Sequence, residues 1–280
     1  MNTPSARPEE DAQFLRQLEK LGRYETPSPG FRGCGLLQRS DIYFYLRQFL
    51  IVCVGGLIAR RGRFDGTAWT TRALKMMRVI EKAGGHIRIE GAHHMIGLRT
   101  PTVFVANHMS IVETLLLPGG LIQPFHPVTV VLKESLLRYP AFGAILRAIG
   151  PIAVSRRNAR EDLRHVLEEG VQRLQQGQSV LVFPQSTRQA TFRPAAFNSL
   201  GAKLAHRAGV PVLPVAVRTD FQQVGRRVRD LGPIDRTKPI HIAFSEALPS
   251  TDPKQAHRQT VERIAARMRE WGVAIEESPA

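Results

Sequence analysis

From about residue 70 onward the chain repeats one pattern: a short run of β-branched residues, then a longer stretch with apolar residues at helical spacing. The runs are HIRIEG, TVFVA, VTVVLK, PIAVS, SVLVFP, VPVLPVAV and IHIAF. All but the alternating HIRIEG are almost wholly apolar, as a strand covered on both faces must be. Between them, NAREDLRHVLEEGVQRLQQG sets Leu163, Val166, Leu167, Val171 and Leu174 on one stripe, and FNSLGAKLAHRAG places Leu200 and Leu204 before a terminating Gly209. TTRALKMMRVIEKAGG ends at Gly84-Gly85. The last helix starts at Asp252 with Pro253 in its first turn, carries Val261, Ile264, Ala265 and Met268 on one side, and stops at Gly272. Strands alternating with helices predict an α/β fold with a mainly parallel central sheet flanked by helices.

The first 66 residues do not share this pattern. Residues 1–40 are polar, with a short helix expected near 10–22. Then comes IYFYLRQFLIVCVGGLIARRGR, whose uninterrupted apolar part, Phe49 to Ala59, is short of the roughly 20 residues a membrane span needs. Arg47 precedes it, and Arg60, Arg61 and Arg63 follow. An apolar segment between arginines suits a membrane surface, where acyl chains and lipid phosphates lie side by side. Packing on the protein's own core is the alternative. The expected organisation is a polar arm and membrane-associating helical segment over 1–66, then a catalytic domain over 67–280.

A formal net charge of +15 and a pI near 10.9 call for an anionic partner: nucleic acid, an anionic membrane or a phosphorylated substrate. No recognised nucleic-acid motif is present, so membrane lipids and phosphorylated substrates are the expected partners. Cys34 and Cys53 have neither metal-ligand nor redox spacing, and His93-His94 lack a carboxylate at ligand spacing, so no metal is expected. The opening residues are polar, with Glu9, Glu10 and Asp11, and read as no secretory signal; the catalytic part is expected to face the cytoplasm. No G-x-S-x-G elbow or phosphate-binding glycine loop is found, which argues against a serine hydrolase or a nucleotide-dependent enzyme.

In VFVANHMSIVETLLLP, Glu113 follows His108 by five positions. On one regular helix those side chains would lie about 140° apart. If His108 is in the loop after the strand and the helix starts at Ser110, Glu113 falls in the first turn and can reach back. A histidine held by a carboxylate keeps one nitrogen for general-base work. A second reading stays open, because Ser110-Ile111-Val112-Glu113 is also an S-x-x-E capping box. GPIAVSRR and VLVFPQSTRQATF each place an arginine, Arg156 and Arg188, just past a strand's carboxyl end, where open α/β sheets bind ligands. Two arginines there suit one phosphate.

Taken in order, N-H-x4-E, G-x-I-x-V-x-R, F-P-Q-S-T-R and V-P-V-L-P-V-A-V resemble the four blocks of the glycerolipid acyltransferases, the 1-acylglycerol-3-phosphate acyltransferase superfamily. VLKESLLRYPAFGAILRAIG is similar to the segment between the first two blocks, and the resemblance covers roughly residues 70–220. It implies an O-acyltransferase that moves a fatty acyl group from acyl-coenzyme A or acyl carrier protein to a lysophospholipid hydroxyl. The favoured acceptor is 1-acylglycerol 3-phosphate, giving phosphatidic acid. Glycerol 3-phosphate or another lysolipid is the alternative within the class, and a non-catalytic lipid- or nucleic-acid-binding protein the alternative outside it.

By the same resemblance His108 is the general base and Glu113 its partner. Arg156 and Arg188 bind the acceptor's phosphate, and Gln185, Ser186 and Thr187 line the acceptor site. Lys133 serves the donor or the developing oxyanion. No cofactor or metal is implied, and the expected location is the cytoplasmic face of the cell membrane. The chain departs from the family in two places. The family most often has Asp where Glu113 stands, and F-P-E-G-T-R where Gln185 and Ser186 replace Glu and Gly.

Overall fold

The computed structural model describes residues 6–27, 40–185 and 187–276. Each β-branched run forms a strand: β1 (Tyr24–Glu25) precedes β2 (Ile87–Glu90), β3 (Val103–Ala106), β4 (Val128–Lys133), β5 (Ile152–Val154), β6 (Ser179–Val182), β7 (Val212–Arg218) and β8 (Ile240–Phe244). They form one sheet in the order β1-β2-β8-β7-β3-β6-β4-β5. Strands β7, β3, β6, β4 and β5 are mutually parallel, and antiparallel pairing is confined to β7 with β8 and β1 with β2. The sheet is mainly parallel, and helices flank it.

Side-chain alternation divides the interior between the two faces of the sheet. Phe104, Leu181 and Leu213 enter one core, with Leu74, Met77 and Ile80 of α3 (Gly66–Lys82). Their neighbours Val103, Val105, Val180, Val182 and Val212 enter the other. There they meet Val166 and Leu174 of α7 (Ala159–Gln175), Leu204 of α8 (Leu200–Ala208), and Ile264 and Met268 of α9 (Pro253–Glu270). The helix ends follow their local chemistry. Asn158 and Asp252 accept hydrogen bonds from the first free backbone N–H groups of α7 and α9, and Gly209 ends α8 with φ +66°.

The N-terminal segment builds α1 (Ala6–Leu21) and α2 (Asp41–Arg60). Phe14, Leu18 and Phe44 join the same core as α3. Helix α2 is longer than the apolar run alone suggests. Ser40 caps it, accepting from the Tyr43 N–H at 3.1 Å, and Tyr43 to Gln48 extend it toward the N-terminus. By length and composition it is apolar enough to cross a membrane. One side of it is packed: Phe44, Gln48, Gly55 and Gly56 are buried along its length. At Gly56 an added Cβ would lie 2.7 Å from Ala141 Cα, beside α6 (Phe142–Ala148), so only glycine permits this approach. The opposite side shows Ile42, Leu46, Phe49 and Leu57 to solvent, with Ile42 81% exposed.

Candidate active site

Because β3, β6, β4 and β5 run in parallel, their carboxyl ends share one edge of the sheet, and the loops leaving them bring the chemically capable residues together. Asn107 fixes the first loop. Its side-chain amide donates to the Val217 carbonyl and accepts from the Val217 N–H, both at 2.8 Å, clamping the exit of β3 to β7. His108 follows, outside any helix. Helix α5 (Val112–Leu116) begins two residues later than Ser110, the start the sequence predicts, and runs on as a π-helix over Leu117–Ile122. Glu113 is still in the first turn and reaches back: its Oε1 lies 2.7 Å from His108 Nδ1.

The Glu113 carboxylate that reaches His108 also makes the bonds of a cap. It accepts from the backbone N–H groups of Met109 at 2.8 Å and Ser110 at 2.9 Å, and from the Ser110 hydroxyl at 3.1 Å. Ser110 Oγ in turn accepts from the Val112 N–H at 3.0 Å. That is the chemistry of a cap, built on the carboxylate that holds His108. The Thr219 hydroxyl, just past β7, donates to Oε2 at 2.5 Å. Glu113 is fully buried. Burial alone would raise its carboxyl, but the hydrogen bond and charge of His108, then the Thr219 hydroxyl, outweigh it and hold the group below its ordinary value. An ionised acceptor at Oε1 places the ring proton on Nδ1 and leaves Nε2 to accept a proton.

Gln185 sits beneath His108. It is 2% exposed, its Oε1 accepts from the His108 backbone N–H at 2.6 Å, and its Nε2 donates to Gln189 Oε1 at 3.2 Å. Gln189 closes the loop by donating its N–H to the His108 carbonyl at 3.0 Å. The geometry therefore puts Gln185 behind the histidine, holding its backbone, rather than on an acceptor-facing wall. Phe183 covers one side of the imidazole, with ring centroids 5.0 Å apart. Thr187 is exposed in the same loop, and Ser186 lies outside the described residues.

The cations occupy successive strand ends. Arg188, after β6, is paired with Asp230 at 2.6 Å. Lys133 is the exposed last residue of β4, in register with Val154 of β5. Arg156, after β5, is exposed and has φ +59°, a left-handed conformation unusual for a residue with a side chain. The Asp162 carboxylate holds that turn, accepting from the Ser155 N–H at 2.9 Å and the Arg156 N–H at 2.7 Å. Three strand spacings separate β3 from β5, so Arg156 leaves the sheet about 14 Å from the exit of β3. The sheet thus brings His108, Glu113, Gln185 and Arg188 into adjoining loops and sets Lys133 and Arg156 further along the same edge.

Sequence reasoning missed Thr219, Asn107 and Asp230. Thr219 follows the VPVLPVAV run directly, so the rule that ligands bind at strand carboxyl ends would have reached it had β7 been known to adjoin β3. Asp230 lies in a loop with no strand signal of its own.

Residues 86–218 match the family model described as acyltransferase. The chain is 35% identical over 156 residues to a 1-acyl-sn-glycerol-3-phosphate acyltransferase of Pseudomonas aeruginosa, covering 56% of this chain and 58% of that protein. It is 27% identical over 168 residues to the Escherichia coli protein of the same name, covering 60% and 63%. The match thus spans less than two thirds of either curated relative. Among solved structures, the 1-acyl-sn-glycerophosphate (LPA) acyltransferase PlsC of Thermotoga maritima superposes with a TM-score of 0.64 at 20% identity, over 85% of this chain and 95% of that one, which shows the shared fold. Residues 86–218 thus match an acyltransferase domain, and over that domain the chain is similar to the 1-acyl-sn-glycerol-3-phosphate acyltransferases.

Proposed function

We propose that this protein transfers a fatty acyl group from an acyl thioester, carried on coenzyme A or acyl carrier protein, to the free hydroxyl of 1-acylglycerol 3-phosphate. The observation that carries this reading is the buried Glu113 carboxylate 2.7 Å from His108 Nδ1, at the sheet edge that also bears Arg188, Lys133 and Arg156. His108 Nε2 takes the proton of the acceptor hydroxyl as its oxygen attacks the thioester carbonyl carbon. The C–O bond forms and the carbonyl becomes a tetrahedral oxyanion. Its collapse breaks the C–S bond, and the imidazolium returns the proton to the departing thiolate. Glu113 stays ionised throughout and stabilises the imidazolium. Arg188 and Arg156 hold the acceptor's phosphate, and Lys133 faces the donor. The relatives' names support this choice of acceptor.

The reading includes a membrane surface, at the cytoplasmic face. Helix α2 is buried on one side from Phe44 to Gly56, about 18 Å of helix. A helix packed on its own domain over that length lies along a bilayer rather than across it, with Ile42, Leu46, Phe49 and Leu57 toward the lipid. The deciding experiment measures free thiol released from acyl-coenzyme A with 1-acylglycerol 3-phosphate, glycerol 3-phosphate and unphosphorylated lysolipids in turn. Thiol release dependent on 1-acylglycerol 3-phosphate and absent from His108→Ala is the expected result. Turnover of only phosphate-free acceptors would overturn the assignment of the arginines.

A further inference from the structure

A hairpin-like loop projects between β7 and β8. Its base is the bridge between Gln222 and Ile234, closed by the Gln223 N–H donating to the Pro233 carbonyl at 3.1 Å. Its tip reads VGRRVRDL, and there Val224, Val228 and Leu231 are 36%, 53% and 58% exposed. Arg226, Arg227 and Arg229 are exposed between them. A loop that meets only water has no use for three protruding aliphatic residues, and the mixture is the one that a lipid headgroup region accepts on both counts. The loop's single carboxylate, Asp230, is held by Arg188, so it does not neutralise the arginines at the tip.

The loop is also joined to the start of α2. The Tyr45 hydroxyl donates to the Gly232 carbonyl, Arg236 pairs with Asp41 at 2.8 Å, and the Ile234 N–H donates to the Asp41 carboxylate at 3.4 Å. Asp41 and Tyr45 flank Ile42, on the exposed apolar side of α2, so the loop continues an apolar surface that α2 has begun.

From this placement we infer that the 222–234 loop is a second membrane contact, with its arginines on the phosphates of an anionic phospholipid surface and Val228 and Leu231 in the acyl boundary. It deepens the acyltransferase reading, on which it rests for the choice of a lipid partner: the loop docks the sheet edge onto the surface that holds the acceptor.

The test uses the full chain and sedimentation with vesicles of phosphatidylcholine alone or phosphatidylcholine with phosphatidylglycerol. Each arginine removed should weaken binding to the anionic vesicles about fivefold, so Arg226→Gln with Arg227→Gln and Arg229→Gln should weaken it about 100-fold and leave binding to neutral vesicles unchanged. Val228→Ser with Leu231→Ser should weaken binding to both vesicle types. Both variants should keep the wild-type melting temperature and the wild-type thiol release with a water-soluble short-chain acceptor. Wild-type binding of the arginine variant to anionic vesicles would overturn the inference. So would a loss of soluble turnover as large as the loss of binding, which would assign the loop to the reaction itself. Because sedimentation needs no turnover, a wild-type protein that binds vesicles and releases no thiol counts against the acyltransferase reading and leaves the docking result standing.

Discussion

Arg188 Nη2 lies 2.6 Å from Asp230 Oδ1, so the guanidinium assigned to the acceptor's phosphate is already held by a carboxylate. A phosphate that enters competes with Asp230 for the guanidinium. The pair is partly exposed, and such pairs contribute up to about 1 kcal/mol. Asp230→Asn should therefore lower KM for a phosphorylated acceptor by up to about fivefold and leave KM for a phosphate-free lysolipid alone. Arg188→Ala should raise the first KM by about 10- to 150-fold, the worth of a charge-assisted hydrogen bond. A raised KM in Asp230→Asn would mean that the ion pair shapes the site rather than competing for it.

The link between Glu113 and Thr219 separates catalysis from capping. His108→Ala should cost about 10²- to 10⁴-fold in kcat, as removal of a general base does. Thr219→Val leaves the cap on α5 untouched but takes a hydroxyl donor from Oε2. It should lower kcat about tenfold, because the carboxylate then holds His108 less firmly. Glu113→Gln keeps one oxygen acceptor for the cap and loses the charge, so a large fall in kcat beside a smaller fall in melting temperature is expected. A fall in melting temperature alone would leave Glu113 as a cap.

Gln185 acts through the backbone of His108. Gln185→Leu strips the acceptor from a part-buried N–H, which costs up to about 1–3 kcal/mol, and should lower kcat while KM for the acceptor moves little. Gln185→Glu retains an oxygen for that N–H and should recover most of the kcat lost in the leucine variant. It also removes the donor to Gln189 and buries a charge, so its melting temperature should fall below that of the wild type. A change confined to KM in the leucine variant would return Gln185 to the acceptor wall.

Acid should weaken the fold through histidine before it reaches the carboxylates. Burial, then the nearby Arg218, Arg88 and His86, push the His241 imidazole down to about 4, and burial lowers His94 and His257 in the same direction. The unfolded chain takes up those protons near pH 6.5. Stability is fully present above that pH, falls as the pH drops from about 6.5 toward 4, and levels off below. Melting temperatures across this window should trace the loss, and His241→Gln should flatten the curve. Glu113, held below its ordinary value, contributes stability above its unfolded value that is lost only as the pH falls through its lowered folded one.

The legible part of this chain was the part written locally. Strand runs such as TVFVA and SVLVFP, the cap at Asp252, and the reach of Glu113 back to His108 depend on neighbours within a few residues. Thr219 lies 106 residues from Glu113, and their contact exists only because β7 and β3 are adjacent, an order no local pattern encodes. Gln185 was visible as a residue but not as a support for the His108 backbone, because that role depends on how two loops from different strands meet. Helix α2 was read as a short apolar run because Arg47 and Gln48 interrupt it. In the fold Gln48 is buried against the domain, and the helix continues through both.

The close approach at Gly56 sets how the protein stands on a surface. With α2 flush against Ala141 and α6, the apolar side of the helix and the sheet edge bearing His108 belong to one rigid piece. The height of the imidazole above whatever α2 rests on is then a constant of the fold and owes nothing to the slack of a tether. If the proposed acyl transfer takes place there, a substrate anchored in that surface would have to rise by a fixed amount to reach His108, and headgroup length would become a selection rule.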